Sequence, residues 1–281
     1  MLNKNNNLEY NLINNNHFFC ISHFNGEKDW IFKLKKNKYI IYNKSGKNLP
    51  KEFNHINIKN VGYNIYSYLK YIVDNYENLP ETVVFCKDNV FKRHIDINLF
   101  NKLLKRNTFT CIEEKFTNHK FPRTLKISDS GFIEINSSWF KSKYPRLFFG
   151  DFNCFYQYIF KNVENPNFLR FAPGANYIVP KRNILLRSKN FYINLISFIN
   201  HSQFSCESHF LERSLYAIWN SNIESSDKMN TKLELSEIDL LKSKCLKFIK
   251  KENIIFEKIY QKIIFKIGSI YMSFLLKKSI E

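Results

Sequence analysis

The chain has 281 residues, 44% hydrophobic and 17% aromatic, and its 43 Lys and Arg against 25 Asp and Glu give a formal charge of +18. That supply of apolar side chains excludes a natively disordered chain, and the length suits one large domain or a catalytic domain with an appendage. The positive excess favours anionic partners, whether nucleic acid, acidic lipid headgroups or phosphorylated small molecules, without choosing among them.

After a polar lead, residues 17–22 (His-Phe-Phe-Cys-Ile-Ser) read as a first buried strand that empties into the polar turn 23–29. Residues 38–43 form a second strand, ended by Lys44-Ser45-Gly46-Lys47. From Asn64 to Tyr76 the apolar positions Ile65, Tyr68, Leu69, Ile72, Val73 and Tyr76 follow a helical stripe. Leu79-Pro80 stops it, and residues 81–86 are a third strand. The stretch from about Phe109 to Phe149 is aromatic and irregular. A short strand is expected at 175–179, with helices at 190–200 and roughly 207–220. Strands separated by helices with short polar exits predict an α/β fold, a mainly parallel sheet covered on both faces. Ligands bind such sheets beyond the carboxyl ends of the strands, which directs attention to residues 22–29, 43–47 and 87–94.

Composition shifts after Ile223-Glu224-Ser225-Ser226-Asp227. From Lys228 onward there are twelve Lys, six acidic residues and no Arg, with helical periodicity from about Leu235 to Leu276. A boundary near 226 would divide a catalytic domain, 1–226, from a basic amphipathic helical extension, 227–281. Such an extension packs on the domain, pairs with another subunit or lies on an anionic membrane surface. The six cysteines form no Cys-x-x-Cys pair and read as reduced, mostly buried thiols. The first residues are polar, unlike a secretory signal, and no apolar run is long enough to cross a bilayer. A cytoplasmic protein, peripheral at the inner face of a membrane, is the expectation.

Four constellations carry possible chemistry. Ser22, His23, Asn25 and Asp29, at the exit of the first strand, either receive parts of a nucleotide or form an ordinary solvated turn ahead of Trp30. At the end of the third strand, Asp88 either holds a hard divalent cation (Mg²⁺ or Mn²⁺) through oxygen, or Lys87, Lys92 and Arg93 neutralise phosphate directly. His94 beside them suits a structural role. Pro173-Gly174 sets a tight turn that lets backbone approach a ligand near Asn176. Glu212 and Arg213 sit within an otherwise apolar helix, so one or both point into a cleft or, alternatively, Glu212 is a surface residue. A carboxylate in a cleft acts as general base on an acceptor hydroxyl or binds sugar hydroxyls.

In this order the segments Asp29-Trp30, Asn60-Val61-Gly62, Tyr68-Leu69-Lys70-Tyr71-Ile72-Val73, Asn75-Tyr76-Glu77-Asn78-Leu79-Pro80, residues 173–179 and Leu211-Glu212-Arg213-Ser214-Leu215 resemble an uncharacterised family of glycosyltransferase-like proteins. The same order is similar to that of GT-A-type glycosyltransferases. The resemblance spans roughly residues 17–222. It implies a GT-A-like domain that binds a nucleotide diphosphate sugar, often with Mn²⁺ or Mg²⁺, and passes the sugar to a hydroxyl of a glycan or lipid-linked acceptor. On that reading Ser22, His23, Asn25, Asp29, Gly62, Lys87 and Arg93 face the donor. Pro173, Gly174, Asn176 and Arg213 face the acceptor, and Glu212 and Asp88 are catalytic. The chain departs from the pattern at Tyr63-Asn64, where the family has Arg-Glu, and at Lys87-Asp88, where it has Gln-Gly. No Asp-x-Asp metal motif is present. The alternatives are a nucleic-acid-binding protein, disfavoured because the basic residues are spread without a recognition motif, and a catalytically degenerate member serving as an assembly partner.

Overall fold

A computed structural model of the chain describes residues 17–112, 124–127, 131–136 and 144–252, together with 263, 266, 267 and 270. The expected tail helix beyond 252, those four positions apart, and much of the aromatic middle lie outside these residues.

Strand β1 (Phe18–His23) is flanked on one side by β2 (Tyr39–Asn43), and β3 (His55–Asn57) lies beyond β2, all three parallel. Helix α1 (Ile65–Asn75) then carries the chain back across the sheet to β4 (Thr82–Lys87), which pairs in parallel with the opposite side of β1. The strand order thus reverses between β1 and β4, the kind of switch point at which open α/β sheets leave a crevice for ligands. Two short helices, α2 (Val90–Arg93) and α3 (Ile97–Leu104), lead to β5 (Thr110–Cys111). A separate antiparallel sheet is made by β6 (Thr124–Ile127), β7 (Gly131–Ile135) and, after α4 (Phe152–Ile159), β8 (Phe168–Phe171). Strand β9 (Tyr177–Pro180) enters the main sheet between β4 and β5, antiparallel to both, so its order is β3-β2-β1-β4-β9-β5. The mainly parallel α/β sheet is as expected; the reversal of β9 is a new fact, since four buried apolar residues read alike in either direction.

Both faces of the sheet are covered, and the period of two along each strand assigns its residues to two cores. Phe19, Ile21, Ile41, Val84, Cys86 and Ile178 pack with Trp30, Val90, Phe100 and Leu103 on one face. Cys20, Tyr42, Phe85, Tyr177 and Val179 belong to the other. That second face is covered by α1 and α4, and by α6 (Lys189–Ile199) and α7 (Cys206–Asn220), which follow the short α5 (Lys181–Ile184). The α1 stripe buries Ile65, Tyr68, Leu69 and Ile72 completely, each contributing about 1.5–3 kcal/mol by leaving water. Helix α7 ends against Arg187, whose guanidinium donates to the carbonyls of Ile218 (3.0 Å), Ala217 and Ser221 (both 3.3 Å). Those are carbonyls a helix terminus otherwise leaves without partners.

Past residue 226 the chain stays on the same core. In α8 (Asp227–Asn230) Met229 is fully buried, and α9 (Leu235–Glu252) buries Leu241 and Cys245. The buried amide of Asn194 on α6 clasps the connection between them, donating to the Met229 and Thr231 carbonyls (3.2 and 2.8 Å) and accepting from Leu233 N–H (3.2 Å). Five of the six cysteines are buried, and none of the six is in a disulfide. Among the described residues no helix is long and apolar enough to cross a membrane.

Candidate functional site

The carboxyl edge of the sheet is built on two faces. On the α2 face Asp88, directly after β4, organises the exit of β1. Its N–H donates to Ser22 O (3.1 Å), and its carbonyl accepts from the Trp30 indole (2.7 Å). Its Oδ2 accepts from the backbone N–H groups of Phe24 (3.0 Å) and Gly26 (2.7 Å). His23 Nδ1 stands 2.7 Å from the same oxygen, an ion-pair distance without the alignment of a hydrogen bond. A Cβ on residue 26 would lie 2.3 Å from Asp88 Cγ, so glycine is what lets the loop close. Asn25 and Asp29 stand exposed on this loop, and Lys92 and Arg93 are exposed on α2. Three nitrogens face Oδ2, so a divalent cation at Asp88 would have only Oδ1 to bind. Among the described residues no group of three or more His, Cys, Asp and Glu gathers to hold a metal.

On the α1 face two buried lysines meet one tyrosine. Lys87, the last residue of β4, donates from Nζ to the Tyr63 hydroxyl (2.8 Å). Lys44, the first residue after β2, donates from Nζ to the Val61 carbonyl (2.5 Å) and to the Tyr63 carbonyl. The two lysines are 8% and 4% exposed, and among the described residues neither has a carboxylate within ion-pair reach. Burial, with no such charge to offset it, lowers the Lys44 pKa from its ordinary 10.5 to about 7. The loop beneath is held by Gly62 N–H and Tyr63 N–H donating to the Ser202 and Gln203 carbonyls (2.8 and 3.0 Å). Tyr63 has φ +52°, a left-handed conformation that costs a non-glycine residue of order 1–3 kcal/mol and is over-represented at ligand sites. Ser22, in register with Lys87, joins its hydroxyl to Ser67 on α1 (3.0 Å).

The turn before β9 completes the edge. Gly174 has φ +75°, and a Cβ there would lie 2.5 Å from His94 Cε1. Its carbonyl accepts from Asn64 Nδ2 (2.8 Å), and its N–H donates to Glu212 Oε1 (2.8 Å). The other Glu212 oxygen accepts from Arg213, whose Nε also donates to Glu134 on β7 (2.9 Å). Burial alone would lower the Arg213 pKa, but the Glu134 and Glu212 carboxylates outweigh it and raise it. Asn176 Oδ1 accepts from Lys87 N–H (3.1 Å), and its Nδ2 donates to the Pro173 carbonyl (3.4 Å).

Asp88 and Glu212 therefore lie along one edge, but no hydrogen bond joins their side chains. Each is committed to its own neighbours, and the link runs through Lys87, Asn176 and the 173–175 turn. The structure brings Lys87, Gly62 and Asn176 together with two residues that the sequence did not group with them, Lys44 and Tyr63, and it sets Glu134 against Arg213. In the sequence Lys44 is no more than the polar end of a strand. Its one signal was its place immediately after β2. Two hollows elsewhere are seams of the fold. One, between α6 and the start of α9, has Asn194 in its lining; the other lies beside Arg187.

The profile of a protein family described as "Protein of unknown function (DUF3431)" matches residues 21–233, most of the chain. No curated protein and no solved structure matches.

Proposed function

The chain belongs to the family of unknown function DUF3431, and from that premise we propose that it binds a nucleotide diphosphate sugar at the β1/β4 switch point and transfers the sugar to a hydroxyl of a glycan or lipid-linked acceptor, as a GT-A-like enzyme. One observation carries the reading. Two buried lysines, at the carboxyl ends of β2 and β4, are satisfied among the described residues by carbonyls and a phenol, with no carboxylate. Burying an ammonium is expensive unless it is paired, and a diphosphate supplies the missing charge. The two strands are both neighbours of β1, so the lysines start roughly 10 Å apart and converge on the two ends of Tyr63.

In this reading Lys87 and Lys44 neutralise the diphosphate as it leaves, the charge developing where fixed donors already stand. Asp88 holds the β1 exit loop, presenting Asn25 and Asp29 to the nucleoside. Glu212 and Arg213 fix the Pro173–Ala175 turn beside the acceptor. With both of its oxygens engaged, Glu212 serves first as a positioning residue. Nucleic acid fits less well, because a polymer backbone is tracked by exposed cations and these two are buried. Attachment of the lysine-rich tail to an anionic membrane face would bring such an enzyme to lipid-linked acceptors.

Thermal-shift measurements with uridine, guanosine, adenosine and thymidine diphosphates and their sugars, with Mn²⁺ and with EDTA, test the proposal. At least one diphosphate is expected to stabilise the protein in EDTA, and its sugar to release free nucleoside diphosphate on incubation with an acceptor mixture. A flat response to all of them sinks the reading.

A further inference from the structure

Beside the lysines, aromatic rings from three separate stretches of chain come together. Tyr63 precedes α1, Phe204 lies in the α6–α7 connection, and His209 is in the second turn of α7 with Tyr144 over it. The Tyr63 centroid is 5.7 Å from that of Phe204, with planes at 52°, and 6.3 Å from that of His209, at 30°. Tyr144 stacks on His209 at 4.4 Å and 28°. Phe204 is 41% exposed, and the other three rings are half-buried.

Backbone and buried charge hold this group in place. Tyr63 N–H is tied to the Gln203 carbonyl (3.0 Å), so the first two rings move together. Glu207, fully buried, accepts from the Leu147 and Phe148 N–H groups (2.7 and 2.8 Å), and Cys206 N–H donates to the Pro145 carbonyl (2.8 Å). Those bonds fasten the segment carrying Tyr144 to the first turn of α7. His209 and Glu212, three residues apart, share one face of that helix, so the rings adjoin the turn that Glu212 holds.

We infer that Tyr63, Phe204, His209 and Tyr144 form a stacking platform for a pyranose ring, the acceptor side of the site. The tilts decide between a sugar and a base. Of two rings inclined at 52° a flat nucleobase can stack on only one, whereas a chair-form sugar directs C–H bonds to more than one side and touches both. The Lys87 ammonium and the Tyr63 hydroxyl border the platform and supply donors for the sugar's oxygens. Calling the bound ring an acceptor rests on the glycosyl-transfer reading; the platform itself does not.

The test is saturation-transfer NMR on the full chain, irradiating aromatic protons. The probes are methyl glycosides of glucose, galactose, mannose and N-acetylglucosamine, against uridine, guanosine and adenosine. At least one glycoside is expected to receive saturation on its ring C–H protons. Phe204→Ala should cut that signal about fivefold or more, as loss of a stacking face does, while Phe204→Tyr retains it. Phe168→Ala, an exposed ring on the second sheet, should leave it unchanged. The platform is overturned by silence from every glycoside, by an undiminished signal in Phe204→Ala, or by nucleosides taking the saturation and displacing the sugar. Nucleotide-diphosphate stabilisation in the same samples separates the two claims. Its presence with silent glycosides removes only the platform; its absence with glycoside signals that follow the variants removes only the donor site.

Discussion

Two clusters of buried charge lie along the same sheet edge and are built in opposite ways. Arg213 is held between Glu134 and Glu212, cation and anions in contact, and Glu212 spends its remaining oxygen on a backbone amide. Lys44 and Lys87 face carbonyls and a hydroxyl, and among the described residues no carboxylate approaches them. The first cluster is electrically closed and sustains the geometry of the 173–175 turn. The second is electrically open, tolerable because ammonium groups satisfied by neutral acceptors still welcome an anion. Closure marks architecture, and in the function proposed above openness is what the diphosphate would fill.

The comparison breaks most visibly if Arg213 is removed. Arg213→Met leaves two carboxylates buried without their cation and should cost about 3–5 kcal/mol in urea unfolding; a loss under 1 kcal/mol would mean the cluster is not closed. Lys87→Met should do the reverse. Stability holds or rises, while affinity for a nucleoside diphosphate, read by calorimetry, falls about tenfold or more, since hydrogen bonds to a charged group are worth about 1.5–3 kcal/mol. Equal losses of stability in the two variants would erase the distinction.

Lys44 sharpens it through pH. Its pKa is about 7 when folded and ordinarily 10.5, so between those values the unfolded chain holds a proton that the folded chain has shed. Stability of the ligand-free protein should therefore climb as pH rises from about 7 toward 10.5, and Lys44→Met should remove that part of the climb. Diphosphate affinity should fall over the same window, because the anion needs the charged form. The smallest effect is expected at Arg93, exposed on α2. Arg93→Ala should change stability by no more than about 0.5 kcal/mol and leave diphosphate binding untouched; a tenfold loss there would relocate the donor site to the other face.

The frame was readable because its signals are periodic. The α1 stripe, the apolar run of β4 and the α7 helix fall within a residue or two of where spacing put them. β3 escaped notice because His55–Asn57 is a polar edge strand, and α2 and α3 because their turns interrupt any long stripe. Glu212 and Arg213 do point inward from their helix, toward the turn before β9. What could not be read was pairing over distance: Glu134 meets Arg213 from a stretch with no periodicity, and a buried lysine has the same letter as a solvated one. The two departures from the resembled family pattern prove to be neighbours, since Tyr63 and Lys87 touch.

The reversed strand β9 has a consequence for biosynthesis. β4 is buried along its whole length and is flanked by β1 and β9, yet its second neighbour arrives some ninety residues later in the chain, a separation read from their positions that slows such pairings. Until Tyr177 has left the ribosome, a nascent chain carries β4 as a raw apolar border, open to any other strand in the cell. Translation stalled in that interval would yield sticky fragments, and the four residues of β9 act as the stopper that makes the finished sheet safe.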